Sequence, residues 1–354
     1  MIRSLALVPL LACAPTTAPT PPTTTAANAP AANAPAANAP AANAPAANAP
    51  AANVTAANAP AANVTAARTT LSPGQLALVG AGDITDCKVD DDEKTATLVE
   101  GVLGQSDKAW AFALGDNAYP DGSLDQYARC FEPTWGRFKS RTLPVVGNHE
   151  YRTEHAAGFR GTFAGRFTQD GPLWWSTDVE GKGSDGAAVR WHVIALDTNC
   201  DEVDCNVGGA QHAFVVADLK SKAATTADCT VAMFHHPRFS SGPHGDATSI
   251  DALWRALAEG GVDLALSGHD HIYERFPAMN GEGAEDAVRG IPSIVVGTGG
   301  RSHYPAVVAR AHSLVRFDDA FGVLAILPKK GGATLRFSGV DGRVRDEHEL
   351  RCRR

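Results

Sequence analysis

The chain has 354 residues and a formal net charge of −8. At roughly 100–200 residues per domain it could hold one large domain or two small ones, but Arg3 to Arg68 encloses no Asp, Glu, Lys or Arg, so the first fifth has a composition of its own. Beyond Arg68 acid and base are interspersed, which argues against a basic face and against nucleic acid as a partner, and no apolar run reaches the roughly 18 residues of a membrane span.

Met1-Ile2-Arg3 supplies one positive charge, Leu5 to Ala12 is a short apolar stretch, and Leu10-Leu11-Ala12-Cys13 closes it. This layout over 1–13 is that of a secretory signal and is similar to a bacterial lipobox, in which the Cys becomes the acylated first residue. Export is expected, with a lipid on Cys13 reaching the membrane of the cell envelope; an ordinary signal peptide would leave a periplasmic or extracellular protein. Residues 14–68 are rich in Ala, Asn, Pro and Thr and repeat Ala-Ala-Asn-Ala-Pro from Ala26. A Pro every fifth residue removes helix hydrogen bonds, and the small side chains offer nothing to bury, so a disordered tether is expected. Residues 69–354 are the one globular unit.

In that unit Gln75–Ala81 reads as a strand, Asp91–Leu103 as a helix with acids at its start, and Ala109–Leu114 as a buried strand. Leu124–Phe138 reads as a helix and Thr142–Val146 as a strand. The second half repeats the pattern: strand Trp191–Leu196, helix His212–Lys222, strand Thr230–Phe234, helix Ile250–Ala258, and strands Val262–Leu266 and Ile291–Val296. Ser313–Leu350 alternates apolar and polar around an Asp341-Gly342 turn, as antiparallel strands do. The alternation predicts an α/β domain with a mostly parallel core. Apart from Cys13, six Cys remain, an even number that in an exported chain favours disulfides. Cys200 and Cys205 can close a small loop. The other four allow three connectivities, of which Cys87–Cys130 with Cys229–Cys352 is adopted.

Five of the predicted strands end in a Gly or a tight turn bearing Asp, Asn or His. These ends are Gly82-Asp83, Gly115-Asp116-Asn117-Ala118-Tyr119, Gly147-Asn148-His149-Glu150, His235-His236-Pro237 and Gly268-His269-Asp270-His271. Core packing does not ask for polar residues at five strand ends. Ligands bind at the carboxyl ends of such strands, and converging oxygen and imidazole donors suit Fe, Zn or Mn.

These blocks resemble, in order, those of the metallophosphoesterase superfamily and within it the purple acid phosphatases, from about residue 74 to the end. Ile272-Tyr273-Glu274-Arg275 and Gly297-Thr298-Gly299-Gly300 resemble the plant-like branch. The fold implied is a β-sandwich of two mixed sheets flanked by helices, α/β/β/α. Carried over, one metal takes Asp83, Tyr119 and His271, the other Asn148, His235 and His269, and Asp116 bridges them. Two ions per chain are implied, Fe(III) with Fe(II), Zn or Mn, since a phenolate suits a ferric ion. Thr85 stands where the family usually has a Gly. His235 rather than His236 fits the family's His-x-Pro pattern. Adjacent residues at a strand end face opposite ways, which leaves His236 behind the site or packed. His244, nine residues after His235, and His149 resemble the outer histidines that contact phosphate and protonate the leaving group.

The activity implied is hydrolysis of phosphate monoesters by a metal-bound hydroxide, at acid pH. A phosphodiesterase or nucleotidase on the same scaffold is the alternative, and a non-catalytic surface binding module a more distant one. The partner implied is a small phosphate ester, and no protein partner is. Plainer roles fall to the rest: Asp90-Asp91-Asp92-Glu93 as a solvated helix start, Arg160, Arg166, Arg238 and Arg301 as surface cations, and none for His155, His192, His212 and His303.

Overall fold

The computed structural model describes residues 69–305 and 309–353; the signal segment, Cys13 and the 14–68 tether lie outside the described residues. The first half provides β1 (Ala77–Ala81), β2 (Thr85–Asp86), α1 (Asp91–Leu103), β3 (Ala109–Leu114), β4 (Ala118–Tyr119), α2 (Leu124–Gln126), β5 (Thr142–Val145) and α3 (Ala157–Thr162). The second provides β6 (Trp175–Lys182), β7 (Ala188–Ala195), α4 (Ala210–Leu219), α5 (Lys222–Thr226), β8 (Cys229–Met233), α6 (Asp251–Glu259), β9 (Leu264–Ser267), β10 (Tyr273–Met279) and β11 (Ile291–Val296). Four strands complete it: β12 (Val315–Phe317), β13 (Gly322–Lys329), β14 (Gly332–Gly339) and β15 (Val344–Arg351).

One main sheet has six strands in the order β15-β14-β13-β1-β3-β5, the second seven in the order β12-β10-β11-β9-β8-β7-β6, and β2 and β4 form a short parallel pair of their own. Each main sheet is parallel at its centre, with β1, β3 and β5 in one and β7, β8, β9 and β11 in the other. Antiparallel strands finish the edges. The expected sandwich of two mixed sheets is therefore found. Alternation along the strands explains it. Val193, Val231, Met233, Leu264, Leu266 and Val296 join Leu78, Phe112 and Leu324 in the core between the sheets. Their neighbours Ile194, Ala232 and Ala265 face the other way, onto Val215, Trp254 and Leu257 of α4 and α6. Both faces of the second sheet's central strands β8 and β9 are buried, so these read as continuous apolar runs.

The predicted helix over Leu124–Phe138 is broken. α2 runs into a π turn at Tyr127–Phe131, where Glu132 N–H bonds Tyr127 C=O at 2.8 Å, and a separate 3₁₀ stretch covers Trp135–Arg141. Pro133 cannot donate, and Thr134 leaves helical space at φ −111°, ψ −93°. The turn directs Tyr127 toward the site and Cys130 toward Cys87. Among the described residues the disulfides are Cys87–Cys130, Cys200–Cys205 and Cys229–Cys352, the pairing adopted above. The acidic start of α1 is not wholly solvated: Asp92 is buried, accepts from Thr134 Oγ1 at 2.9 Å, and is pushed up to about 6 by burial.

His192 of β7 is buried between two carboxylates, with Nδ1 2.7 Å from Asp178 and Nε2 2.7 Å from Asp218. Burial opposes its charge, but the hydrogen bonds to Asp218 and Asp178 outweigh it and raise its pKa above the ordinary 6.5. Its contribution to stability is fully present below 6.5 and fades as pH rises through the raised value. Burial likewise opposes ionisation of Asp218, but His192 and Ser176 hold it below 3.8, so its share is lost only as pH falls through that lowered value. The window of greatest benefit is mildly acid. His192→Gln should cost about 3 kcal/mol, with a larger drop in the denaturation midpoint near pH ~5 than near pH ~9. An equal or larger drop at the alkaline pH refutes this charge assignment.

Candidate metal centre

The parallel strands of both sheets deliver their carboxyl ends to one place. Asp83 follows β1, Asp116 follows β3, Asn148 and His149 follow β5, His235 follows β8, and His269 and His271 follow β9. The sheets are tied there by Gly82 N–H to Val296 C=O at 2.8 Å and by His235 Nδ1 to Leu114 C=O at 2.8 Å. Three residues that turn inward have left-handed backbones: Asp83 (φ 60°), Asp116 (φ 50°) and His269 (φ 70°). Non-glycine residues are uncommon in this region, and such strained backbones cluster at functional sites. Two glycines are required by close approach. A Cβ on Gly115 would sit 2.5 Å from His235 Nδ1, and one on Gly147 would sit 2.2 Å from Asp116 Oδ1.

Asp83 and Asp116 are 1% and 2% exposed. The Tyr119 hydroxyl lies 2.9 Å from an oxygen of each and 3.1 Å from His271 Nε2. His271 Nε2 is also 3.3 Å from Asp83 Oδ1. On the other side of Asp116, His235 Nε2 lies 3.3 Å from Oδ2 and 3.1 Å from Asn148 Oδ1. His269 donates its backbone N–H to Asp83 at 2.8 Å, and its ring is 5.1 Å from that of His235. The sequence-predicted set is thus gathered around Asp116, with Asp83, Tyr119 and His271 on one side and Asn148, His235 and His269 on the other.

One phenolic proton cannot serve two carboxylates and an imidazole at once, so Tyr119 leaves oxygen facing oxygen in a buried site. That donor set fits cations. Burial resists ionisation of Asp116, but His235 outweighs it and holds the carboxyl well below the usual range. The pairing lifts His235 to about 10 despite its burial. A coordinated cation takes the place of such a proton, because imidazole binds metal only when neutral. Burial, with His235 and His236 alongside, keeps His269 neutral. Tyr119 is raised by burial and by Asp116 and Asp83.

At the rim, His149 Nδ1 is held 2.5 Å from Pro120 C=O, and its ring packs 4.3 Å from Tyr119. Burial lowers its pKa, and Asp116 pulls it back only in part. The His244 ring lies 4.3 Å from that of His269. His236 departs from expectation. β8 stops at Met233, so strand alternation no longer governs His235 and His236. The His236 ring comes within 4.4 Å of His269, with Nδ1 3.0 Å from Thr198 Oγ1. Arg238 is not a surface cation either; it is buried, with Nε 2.5 Å from Asp251.

Glu150 belongs to a quoted motif, yet its part is visible only in three dimensions. Fully buried, it accepts from the N–H groups of Gly147 (2.7 Å), Asp116 (3.0 Å) and Asn117 (2.7 Å) and from Tyr127 Oη (3.1 Å). Burial, then the Asp116 charge, push it up to about 7. It locks the loops after β3 and β5 together.

A family model described as calcineurin-like phosphoesterase matches residues 78–273, more than half of the chain. The chain belongs to that family. The match runs from β1 to the head of β10 and so includes every loop of this phosphoesterase that feeds the candidate centre up to His271. An Arabidopsis thaliana protein named "Probable inactive purple acid phosphatase 9" is 26% identical over 277 residues, 63% of this chain and 42% of its own. The purple acid phosphatase PPD1 from yellow lupin (Lupinus luteus) seeds aligns at TM-score 0.62 and 19% identity, over 80% of this chain and 55% of that one. GAP50, the anchor in the inner membrane complex of Plasmodium, aligns at TM-score 0.59 and 18% identity, over 79% and 90%. At these identities the two structures show a shared fold alone. The chain spans about half the length of the curated relatives it matches. Among the described residues, no helix of the phosphoesterase is long and apolar enough to cross a membrane.

Proposed function

We propose that this phosphoesterase hydrolyses small phosphate monoesters with two cations held between its sheets. The observation that carries the reading is the pair of buried carboxylates, Asp83 and Asp116, sharing one phenol and flanked by neutral-capable imidazoles and an amide. Asp83, Tyr119 and His271 would hold one cation, Asn148, His235 and His269 the other, and Asp116 both, since two close cations need a shared anion to offset their repulsion. When bound, they would supply positive charge for the phosphoryl oxygens and a water far more acidic than bulk.

The chain's own residues do the rest. His149, fixed through Nδ1 to Pro120, presents Nε2 toward Asp116 at 3.7 Å and is placed to touch the phosphoryl group. His244, beside His269, would hand a proton to the departing alkoxide, a task for which imidazole suits. The name of the inactive Arabidopsis relative does not carry over as such, because all seven donor positions here hold residues able to coordinate.

Metal analysis with a phosphate-release assay tests the reading. The purified chain should retain two ions and release phosphate from monoesters faster than from diesters. We assign one ion as ferric, with Fe(II), Zn or Mn beside it. A visible phenolate-to-iron band should then be present and should vanish in Tyr119→Phe. A colourless, fully active enzyme with two divalent ions overturns the iron assignment, and a chain that holds no ion overturns the reading.

A further inference from the structure

The segment after β11, Gly297–Tyr304, meets the candidate ligands of one side of the centre, and its Tyr304 ring also stands edge-on to His244 at 5.5 Å. Its backbone is seated against the Asp83 turn: Gly299 N–H donates to Gly82 C=O at 2.8 Å and Arg301 N–H to Asp83 C=O at 3.1 Å. Ser302 Oγ lies 2.7 Å from His271 Nδ1. Tyr304 stacks its ring flat on His271, 3.9 Å between centroids with 8° between planes, and donates its N–H to His271 C=O at 3.2 Å. The Arg301 guanidinium lies over the Tyr119 ring at 4.9 Å and is held there by Asp86 at 3.1 Å. Asp83, Tyr119 and His271 are the residues assigned above to a single cation. Among the described residues, this segment makes no hydrogen bond or ring contact with Asn148, His235 or His269.

The two imidazoles nearest the carboxylates are oriented differently. His235 gives Nδ1 to a backbone carbonyl inside the sheet, a partner that no side-chain change removes. His271 gives Nδ1 to a serine hydroxyl on a separate loop. A hydroxyl accepting from Nδ1–H leaves the Nε2 lone pair directed at Asp83 and Tyr119, which fixes both tautomer and ring direction. The stacked Tyr304 prevents the ring from tilting. The Arg301 guanidinium, packed on the Tyr119 ring and held by Asp86, restrains that ring and so the direction in which its oxygen points.

We propose that Ser302, Tyr304 and Arg301 are positioning residues dedicated to one of the two cation positions, so that this loop sets the affinity of one ion independently of the other. The inference rests on the two-cation reading above. Partners that orient a ligating histidine typically contribute 10–100-fold in metal affinity. The test is retention of ions by the metal-loaded full chain dialysed against graded EDTA. Ser302→Ala should release one ion per chain at roughly 10–100-fold lower chelator while the second is retained as in the unaltered protein. Ser302→Thr should restore retention. Tyr304→Phe should behave as the parent, because the stack survives, whereas Tyr304→Ala should resemble Ser302→Ala. Arg301→Gln should weaken the same ion and Arg301→Lys should keep it. Equal thermal midpoints for the metal-stripped proteins separate positioning from general loss of structure. Loss of both ions together, or of neither, in Ser302→Ala overturns the inference while leaving two cations in the parent intact. A parent chain that retains fewer than two ions removes the underlying reading and this inference with it.

Discussion

Asp116→Asn should lower phosphate release from monoesters by on the order of 10³–10⁴, roughly 4–5 kcal/mol in the barrier. The substitution keeps the shape and removes the charge. Asp116 is the carboxylate that reaches both sides of the centre: Oδ2 lies 2.9 Å from the Tyr119 hydroxyl and 3.3 Å from His235 Nε2, while Oδ1 accepts the His149 N–H at 2.8 Å. An amide retains one acceptor oxygen but cannot neutralise a pair of cations, and its NH₂ would meet either His149 N–H or Tyr119. The expected signature is the loss of one or both ions together with activity. Added metal should recover only part of the rate. A loss smaller than tenfold at full metal occupancy would show that Asp116 does not bridge. Asp83→Asn provides the comparison, since Asp83 Oδ1 contacts Tyr119 and His271 while Oδ2 accepts only the backbone N–H of His269 from the other set; it should impair one ion more than the other.

Much of this architecture is legible from local pattern. Asp91–Leu103, Ala109–Leu114 and Ile291–Val296 have the predicted boundaries because a helical period and short apolar runs are decided by neighbours in the chain. The centre's residues are legible for a related reason. A polar residue directly after an apolar strand has no packing role, and parallel strands bring such residues to one edge. What escaped depends on distant partners. β6 (WSTDVEGK) is polar and half-exposed and exists by pairing with β7; β10 contains Pro277 and a register shift between Phe276 and Met279. His192 finds its carboxylates 14 and 26 residues away, and Ser302 meets His271 across 31 residues. Nothing in the local sequence distinguishes Ser302 from a solvent-facing serine. The break after Gln126 lay beyond periodicity because the helix ends through the Pro133-Thr134 geometry and through the pull of Tyr127 on Glu150.

His244→Ala should slow monoesters of poor leaving groups, such as alkyl phosphates, by on the order of 10²–10⁴, while activated aryl phosphates fall by less than about tenfold. The asymmetry is chemical: an alkoxide leaves only as it takes a proton, whereas a stabilised phenolate leaves without one. The position of His244 supports that task. Its backbone N–H is tied to Asp270 Oδ1 at 3.2 Å, and Asp270 in turn accepts from Ser240 Oγ, so the loop carrying the imidazole is anchored to the turn that carries His269 and His271. Its ring stands beside His269 and edge-on to Tyr304 at 5.5 Å. His149→Ala should therefore behave differently, lowering turnover of both substrate classes, because the role proposed for it is on the phosphoryl group and not on the departing oxygen. Asn148→Ala, by contrast, should reduce metal content before it alters leaving-group preference. The measurement is a plot of log kcat/KM against leaving-group pKa for the parent and the three variants. His244→Ala should steepen the slope, His149→Ala should displace the line with its slope unchanged, and Asn148→Ala should do the same in proportion to the metal lost. A His244→Ala line parallel to the parent, or faster turnover of diesters than of monoesters, would show that His244 is not the acid and that the loop instead lines the pocket of a different phosphoester.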